Sequence, residues 1–522
     1  MQKLILQRLS YGFTQLDFEE FQQKGFANWL QSQLNPNDSE DTILAEKLKQ
    51  ATLPIEFDRE VKNKMKRIKE NRPLNAISAS LSDLWKLSKN TSFEEKQFVA
   101  LEVVAAIWLR AVYSKFQLRE LLVEFWHNHF NVSIHADERI ALALPIYDRD
   151  VIRKNCFGNF RTFIEDVAKS TAMLLYLDNY LSKASPANEN YARELFELHT
   201  LGATHYYNHL YNRWRQVPGA LEGKPEGYID EDVYEAARAF TGWTIANGAD
   251  DEKGGKFSDT GEFYYYEGWH DNYQKRVLAT EIDPNQPPLA DGLRVLDLVA
   301  YHPATAKFLC TKLCKRLVAD EPPQSLIDKA VVVWTQYQKS EEQIEKVVET
   351  IVLSDEFTQS LGKKIKRPFE LMASFFRAVE PVFTPNQLLY WITAQTGYLH
   401  FSWATPTGHP DHAAHWINSG MMLTRWNVIL ALTLNEDWHK ITHVDLLSQL
   451  PPAIKTFEEI VTYWIKRLVV NPISSEDKQR VMSFFAQGAS EDDMLEGNAQ
   501  DKEDKLRNLV SLLCTMPHFQ YR

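Results

Sequence analysis

The sequence predicts a mainly α-helical, multi-helix globular protein that carries a small β-hairpin insertion. Apolar residues recur at intervals of three and four over most of the chain, which is the period of an amphipathic helix. The composition is that of a globular protein, with 44% hydrophobic and 25% charged residues and only 20 Gly and 22 Pro among 522 residues. One stretch, at about 244–288, is instead rich in Gly, Asp and Asn and in alternating aromatic residues, which is typical of short hairpins.

The first 122 residues are predicted to be helical throughout. A long run from about residue 96 to 130 contains neither Pro nor Gly. We expect it to hold two helices, with the break at Ser114–Lys115 or at Gln117. The densest basic stretch, KMKRIK at 64–69, is short, and we interpret it as the solvated face of a helix.

The rest of the chain is predicted as three further sub-regions of one unit that extends from residue 4 to 522. Residues 123–243 form a helical core that bears most of the polar motifs, 244–290 form the β and loop insertion, and 291–522 are again helical. Within the core, Pro186 and Asn188 open a helix that Gly202 closes. A second irregular segment, at 397–418, interrupts the last sub-region.

Charge and hydropathy exclude two classes of partner. The net charge of −12 repels phosphate backbones, so no nucleic-acid partner is expected. No window reaches 18 uninterrupted apolar residues, so no membrane span is expected. If Met1 is the native start, the predicted location is cytoplasmic; if a leader was trimmed, it is periplasmic or secreted.

The first candidate site is the segment FWHNHF at 125–130, at the end of a predicted amphipathic helix. His127 and His129 are flanked by three aromatic residues, which is not typical of surface histidines. Imidazoles are common metal ligands, but two of them need further ligands from elsewhere in the chain. The alternative is a pair of core histidines that bond to backbone groups or carboxylates.

The second candidate site is the predicted helix NENYARELFELH at 188–199. Helical spacing places Asn190, Glu194 and Glu197 on one stripe, with Arg193 beside it. Paired carboxylates one turn apart hold divalent metals in helical bundles or serve as general acid and base. The alternative is a buried network of arginine and glutamate that braces helices.

Three further features complete the set. Arg238 follows two small Ala residues on a predicted helix, and we interpret it first as a bidentate structural partner for Glu194 or Glu197. Residues 269–271 (WHD) lie on a loop after a predicted strand, a position that suits catalysis or metal ligation. The alternative is an ordinary exposed loop without a function. Trp403 belongs to a turn-rich loop that is predicted to form one wall of a cleft. The alternative is a loop that its Trp residues attach to the core.

These segments together resemble the bacterial family catalogued as domain of unknown function 1800. The matching stretches follow the family's order along essentially the whole chain, and they include RLSYGFT, EFWHNHFNVS, NENYARELFELHTLG, DVYEAARAFTGWT, HPATAKFLCTKLCKRLVAD, TPTGHPDHAAHWINSG and MPHFQYR. The resemblance implies no assigned catalytic residue. Members often look secreted or periplasmic, whereas this chain shows no leader, so the resemblance leaves its compartment open.

The preferred hypothesis is an enzyme, of metal-dependent hydrolase type, whose cleft is walled by the His127 helix, the Glu194 helix and the His270 loop. Its candidate residues are catalytic His127, Glu194, Glu197, His270 and Asp271, substrate-binding Asn190, Arg193, Arg238, Trp269 and Trp403, and metal-ligating His127, His129 and His270. The candidate cofactor is a divalent metal. The substrate and the oligomeric state are not predicted.

The alternative hypothesis is a non-catalytic binding or assembly protein. Its polar motifs would be structural braces, and its Trp-rich loops near 269 and 403 would stack on a carbohydrate or contact a protein partner.

Overall fold

Helices dominate the structure, a computed structural model that describes residues 1–61, 64–252, 254–434 and 442–522, and the mainly α prediction is confirmed. The helices of the first half are α1 Gln2–Leu9, α2 Gln15–Leu34, α3 Thr42–Gln50, α4 Leu81–Trp85, α5 Leu87–Asn90, α6 Phe93–Tyr113, α7 Gln117–His129, α8 Ile140–Ile146, α9 Phe160–Lys169, α10 Thr171–Tyr176, α11 Asn190–Glu194 and α12 Asp230–Ala239. Those of the second half are α13 Ala290–Ala300, α14 Pro303–Leu317, α15 Gln324–Gln336, α16 Gln343–Val352, α17 Asp355–Ser360, α18 Pro368–Val379, α19 Gln387–Gln395, α20 Ala413–Trp416, α21 Ser419–Leu434, α22 Phe457–Leu468, α23 Ser475–Ala486, α24 Ala499–Thr515 and α25 Pro517–Gln520.

The predicted break in the long helical run is confirmed. Helix α6 begins at a capping box, in which Ser92 accepts a hydrogen bond from the Glu95 amide and the Glu95 side chain accepts one from the Ser92 amide. It ends before Ser114, whose backbone is extended and whose hydroxyl donates to the buried Asp41 carboxylate. Helix α7 then begins at Gln117 and carries the histidine motif at its C-terminal end.

The strands form four two-stranded antiparallel hairpins. They are β1 Thr52–Val61 with β2 Lys64–Pro73, β3 Trp243–Asn247 with β4 Asp259–Tyr265, β5 Lys275–Val277 with β6 Thr280–Ile282, and β7 Val382–Phe383 with β8 Thr442–His443. The second and third hairpins confirm the predicted insertion at 244–288.

The prediction that the first 122 residues are helical throughout is wrong over β1 and β2. Along β1 the buried residues Leu53, Ile55 and Phe57 alternate with exposed neighbours, which is the period of a strand with one buried face. The basic stretch at 64–69 belongs to β2, so it is not the face of a helix.

One connected core joins all four predicted sub-regions. Its buried apolar residues run from Ile5 near the start of α1 to Phe519 in α25. The four cysteines are free thiols buried among them. In the described ranges no helix has the length and apolar character needed to cross a membrane.

Candidate functional site

The end of α7 directs its two histidines to different partners. The His127 ring is 2.9 Å from the Asp148 carboxylate, measured from Nε2 to Oδ1. The His129 ring is almost fully buried, with Nε2 3.1 Å from the His199 carbonyl and Nδ1 2.9 Å from the Lys312 ammonium. The two rings therefore do not share a ligand.

Asp148 is a buried carboxylate held by cations. It lies in a π-helical turn, Tyr147–Arg153, that continues α8. Its Oδ2 accepts a hydrogen bond of 3.1 Å from Arg110 and lies 3.7 Å from Arg153 Nε. Burial by itself would raise the pKa of Asp148, but Arg153, the hydrogen bond from His127 and Arg110 outweigh it and lower the pKa. Asp148 is therefore ionised and fixes the orientation of the His127 ring.

His127 faces a small cavity of about 30 Å³, which is room for a water molecule or two. Asn128, His400 and His409 line the same cavity. The Asn128 side-chain oxygen is 3.1 Å from His409 Nδ1. Burial lowers the pKa of His400 to about 4 and that of His409 to about 3, so both rings are neutral at pH 7. Three imidazoles thus converge on one space.

Glu124 closes the far wall of the cavity as part of a buried ion network. Its carboxylate accepts hydrogen bonds from Tyr398, Arg367 and, at 3.0 Å, Arg316. Both arginines also bond to the buried Glu370. Burial opposes ionisation, but the two arginines outweigh it and lower the pKa of Glu124 to about 2. This network holds the side chains of Glu124 and Tyr398, which line the cavity, in place.

The segment 398–409 covers the cavity and is attached at several points. The Asn131 side chain donates to the carbonyls of Trp403 and Thr405, at 3.1 and 2.8 Å, and Tyr176 donates to the Ala404 carbonyl at 3.0 Å. Gly408 has φ of +69°, and a Cβ there would lie 2.1 Å from the Asn128 carbonyl oxygen. Only glycine allows this approach of the covering segment to α7.

The charge of Glu194 acts on Tyr176, which bonds to this segment, and Glu197 is a neighbouring charge of Glu194. Both glutamates are partly buried, on α11 and on the π-helical turn Leu195–His199 that continues it, and neither carboxylate has a hydrogen-bond partner among the described residues. Burial and the neighbouring Glu197 raise the pKa of Glu194. Burial, with a contribution from the Glu194 charge, raises the pKa of Tyr176 to about 12. Tyr176, which contacts Asn131 of the cavity lining, is therefore within electrostatic reach of the Glu194 carboxylate.

The other two polar residues of the α11 stripe lie at its edge. Asn190 is exposed and hydrogen-bonds the Asp178 carboxylate. Arg193 is 3.2 Å from Glu189 and 3.5 Å from Asp230. Both are accessible from solvent, as substrate-binding groups need to be.

The prediction that Arg238 pairs with Glu194 or Glu197 is wrong. Its guanidinium bonds to both oxygens of Asp271, at 2.8 and 3.0 Å, and to Glu235. The reason is that Asp271 offers a buried carboxylate with both oxygens within hydrogen-bond distance of the guanidinium, which favours a bidentate pair.

His270 also belongs to this second network and not to a wall of the cleft. Its Nδ1 is 2.9 Å from the Thr241 carbonyl, and its Nε2 is 3.2 Å from the Asp291 carboxylate, which Lys275 contacts at 2.7 Å. Lys275 is fully buried in this ion pair. The side chains of His270 and Asp271 are thus occupied in a brace between the 269–275 loop, α12 and α13.

The three histidines predicted as metal ligands, His127, His129 and His270, do not come together. Each ring is committed to different partners, as described above. Within the described ranges no group of three His, Cys, Asp or Glu side chains is arranged to hold a metal ion. These three histidines therefore do not fit a divalent-metal site.

The two predicted tryptophans differ in exposure. Trp269 is buried against Phe257 and Tyr266, and Lys183 covers its ring at 4.2 Å, which leaves little surface for a ligand. Trp403 is partly exposed and packs on His409, with 4.9 Å between the ring centroids. Of the two, only Trp403 lies at the cleft.

Sequence reasoning missed Asp148, His400 and Tyr398, and left His409 out of the candidate residues. His409 lies in the quoted loop motif, so its position was within reach. Nothing in the local sequence indicates that Asp148 is buried beside a histidine, because the segment YDRD has the charged composition of an exposed helix face.

Fold and site together define a class: a helical protein with a buried imidazole–carboxylate pair at a polar cavity. The sequence model of the family described as "Protein of unknown function (DUF1800)" matches residues 4–521, and the chain belongs to that family. No curated protein and no solved structure matches the chain.

Proposed function

We propose that the protein is a hydrolytic enzyme that uses general acid–base catalysis at the cavity between α7 and the 398–409 segment. The observation that carries the proposal is the His127–Asp148 pair on the wall of a cavity lined by further polar side chains. Such a pair has the geometry of a general base with its orienting carboxylate.

The two members of the pair have different tasks. Asp148, ionised between two arginines, accepts the Nε2 hydrogen of His127 and so selects the tautomer in which Nδ1 has a free lone pair. That nitrogen is buried and has no hydrogen-bond partner among the described residues. His127 would take a proton from a water molecule in the cavity, and Asp148 would stabilise the imidazolium that forms.

Glu194 supports the proposal from the other side of Tyr176. Its raised pKa favours the protonated form, which suits a proton donor to a leaving group. His127 and Glu194 would then be base and acid, and the raised pKa of Glu194 is in the direction that the role of acid requires. The exposed Asn190 and the partly buried Arg193 would contact a substrate that extends along α11.

The test compares three variants on a panel of esters, amides, glycosides and phosphate esters. His127→Gln and Glu194→Gln are expected to lower kcat/KM by about 100-fold or more for any substrate the native protein hydrolyses, as removal of a general base or acid does. His302→Gln is the control, because the ring of that partly buried histidine bonds to the Pro225 carbonyl and the Ala304 amide, away from the cavity. Full activity in His127→Gln, or no turnover of any member of the panel, would overturn the proposal.

A non-catalytic carbohydrate-binding role is the second candidate, and Trp403 favours it. Its ring is partly exposed beside His409 at the mouth of the cleft, where a sugar could stack. This role predicts that Trp403→Ala abolishes binding of an oligosaccharide which the native protein binds without hydrolysing it. Isothermal titration calorimetry with a set of oligosaccharides, beside product analysis, separates the two functions.

A further inference from the structure

Lys312 on α14 makes an unusual contact with the end of α7. Its ammonium nitrogen lies 2.9 Å from Nδ1 of His129. The other nitrogen of that ring is 3.1 Å from the His199 carbonyl, and a ring nitrogen can only donate to a carbonyl. Nδ1 of His129 is therefore the acceptor, and Lys312 is the donor.

No carboxylate of the described residues lies within ion-pair distance of Lys312. The Asp411 charge acts on it only from farther away. The groups that face it are His129, the Phe308 ring at 5.5 Å, and His199, whose two ring nitrogens have no partner among the described residues. Both histidines are neutral, since burial lowers their pKa values far below 7.

An ammonium without a counter-ion in such surroundings is stabilised poorly, whereas a neutral amine fits them. A neutral amine still donates one hydrogen to Nδ1 of His129 and keeps its lone pair. Burial accordingly lowers the pKa of Lys312 to about 8. The residue is nevertheless partly exposed, so part of its side chain reaches the surface.

We propose that Lys312 is a nucleophilic amine that binds small aldehydes as a Schiff base. The ammonium first loses a proton to water. The lone pair of the amine then attacks the carbonyl carbon, a C–N bond forms, and the carbinolamine loses its oxygen as water to leave the imine. One aldehyde is consumed and one water is released, with no change of oxidation state.

The proposal is independent of the hydrolytic function, because Lys312 contacts His129 and not the His127 cavity. The experiment incubates the full-length native protein with glycolaldehyde and sodium cyanoborohydride at pH 7. Cyanoborohydride reduces each imine to a stable secondary amine, and peptide mass spectrometry measures the modified fraction of each lysine over time.

Lys315 is the matched control. It lies on the same helix, one turn away, and is also partly exposed. We expect Lys312 to be modified at least 10-fold faster than Lys315 in the native protein. Labelling of Lys312 at or below the rate of Lys315 in the native protein would overturn the proposal.

Discussion

His127 and His129 are separated by one residue, yet they contribute to two different sites. Successive residues of a helix are rotated by about 100°, so positions two apart point in nearly opposite directions, at about 200°. His127 consequently meets Asp148, and His129 meets His199 and Lys312. A metal site that uses both rings would require the helix to end before His127, whereas α7 continues to His129.

Gly408 gives a second example at the scale of one residue. Gly408→Ala adds a methyl group that must displace the Asn128 carbonyl, in addition to the cost of a left-handed backbone, which is about 1–2 kcal/mol. We expect the free energy of unfolding to fall by clearly more than that amount, as measured by urea denaturation.

Gly223 supplies the control for this variant. It has the same φ of +69°, but nothing lies within 4 Å of the position a Cβ would take. Gly223→Ala should therefore lose only the backbone cost. Equal losses in the two variants would show that the covering segment does not rest on α7 as described.

At the scale of elements, the brace around Lys275 joins α12, the 269–275 loop and α13. Arg238 of α12 holds Asp271, and Lys275 bonds to Asp291 of α13 and to the Asp271 carbonyl. These charges satisfy one another, so the loop is fixed by ion pairs and not by apolar packing alone. Polar residues in apolar segments can thus brace a fold as well as form a catalytic site.

Lys275→Met tests this assignment. The variant leaves the buried Asp291 carboxylate without its cation, which costs about 3–5 kcal/mol of unfolding free energy. Arg480→Ala, which removes an exposed pair with Glu476, should cost no more than about 1 kcal/mol. Urea denaturation of both variants measures the difference, and a loss below about 1 kcal/mol in Lys275→Met would contradict the brace.

At the scale of the whole molecule, the ion network around Glu124 connects distant parts of the chain. Glu124 is on α7, Arg316 on α14, Arg367 directly before α18, and Arg522 at the last position, where it lies 3.2 Å from Glu370. The network therefore ties the histidine helix to the C-terminus through the centre of the protein.

This network predicts the response of stability to acid. The pKa of Glu124 is about 2 in the folded protein, below the value of about 4.3 for an unfolded glutamate. The folded state binds fewer protons between these values, so the stabilisation is complete above about pH 4.3 and is lost as the pH falls towards 2. The melting temperature should fall over that range.

Glu124→Gln isolates this contribution. The variant should be less stable than the native protein at pH 7, and the difference in melting temperature between the two should shrink as the pH falls from about 4.5 to 2. Calorimetric scans at several pH values check this. Melting curves that shift in parallel would contradict the assignment.

The sequence by itself determined the features that depend on neighbouring residues. Hydrophobic period and breaks placed α6, α7, α12 and the hairpin insertion, and long motifs indicated the family. The exception, β1, shows that a short run with period two is easily taken for helix inside a helical region, because its apolar residues also fit helical spacing in part.

Only the tertiary structure decided which polar residues meet. Asp148 reaches His127 across 21 positions and His409 reaches Asn128 across 281, while Arg238 turns to Asp271 and not to the glutamates of α11. Local spacing fixes the side of a helix on which a residue lies, but the partner on that side depends on how distant elements pack. The sequence therefore predicted the candidate residues as polar side chains in apolar segments. It did not predict which of them lie at the cavity and which belong to the brace around Lys275.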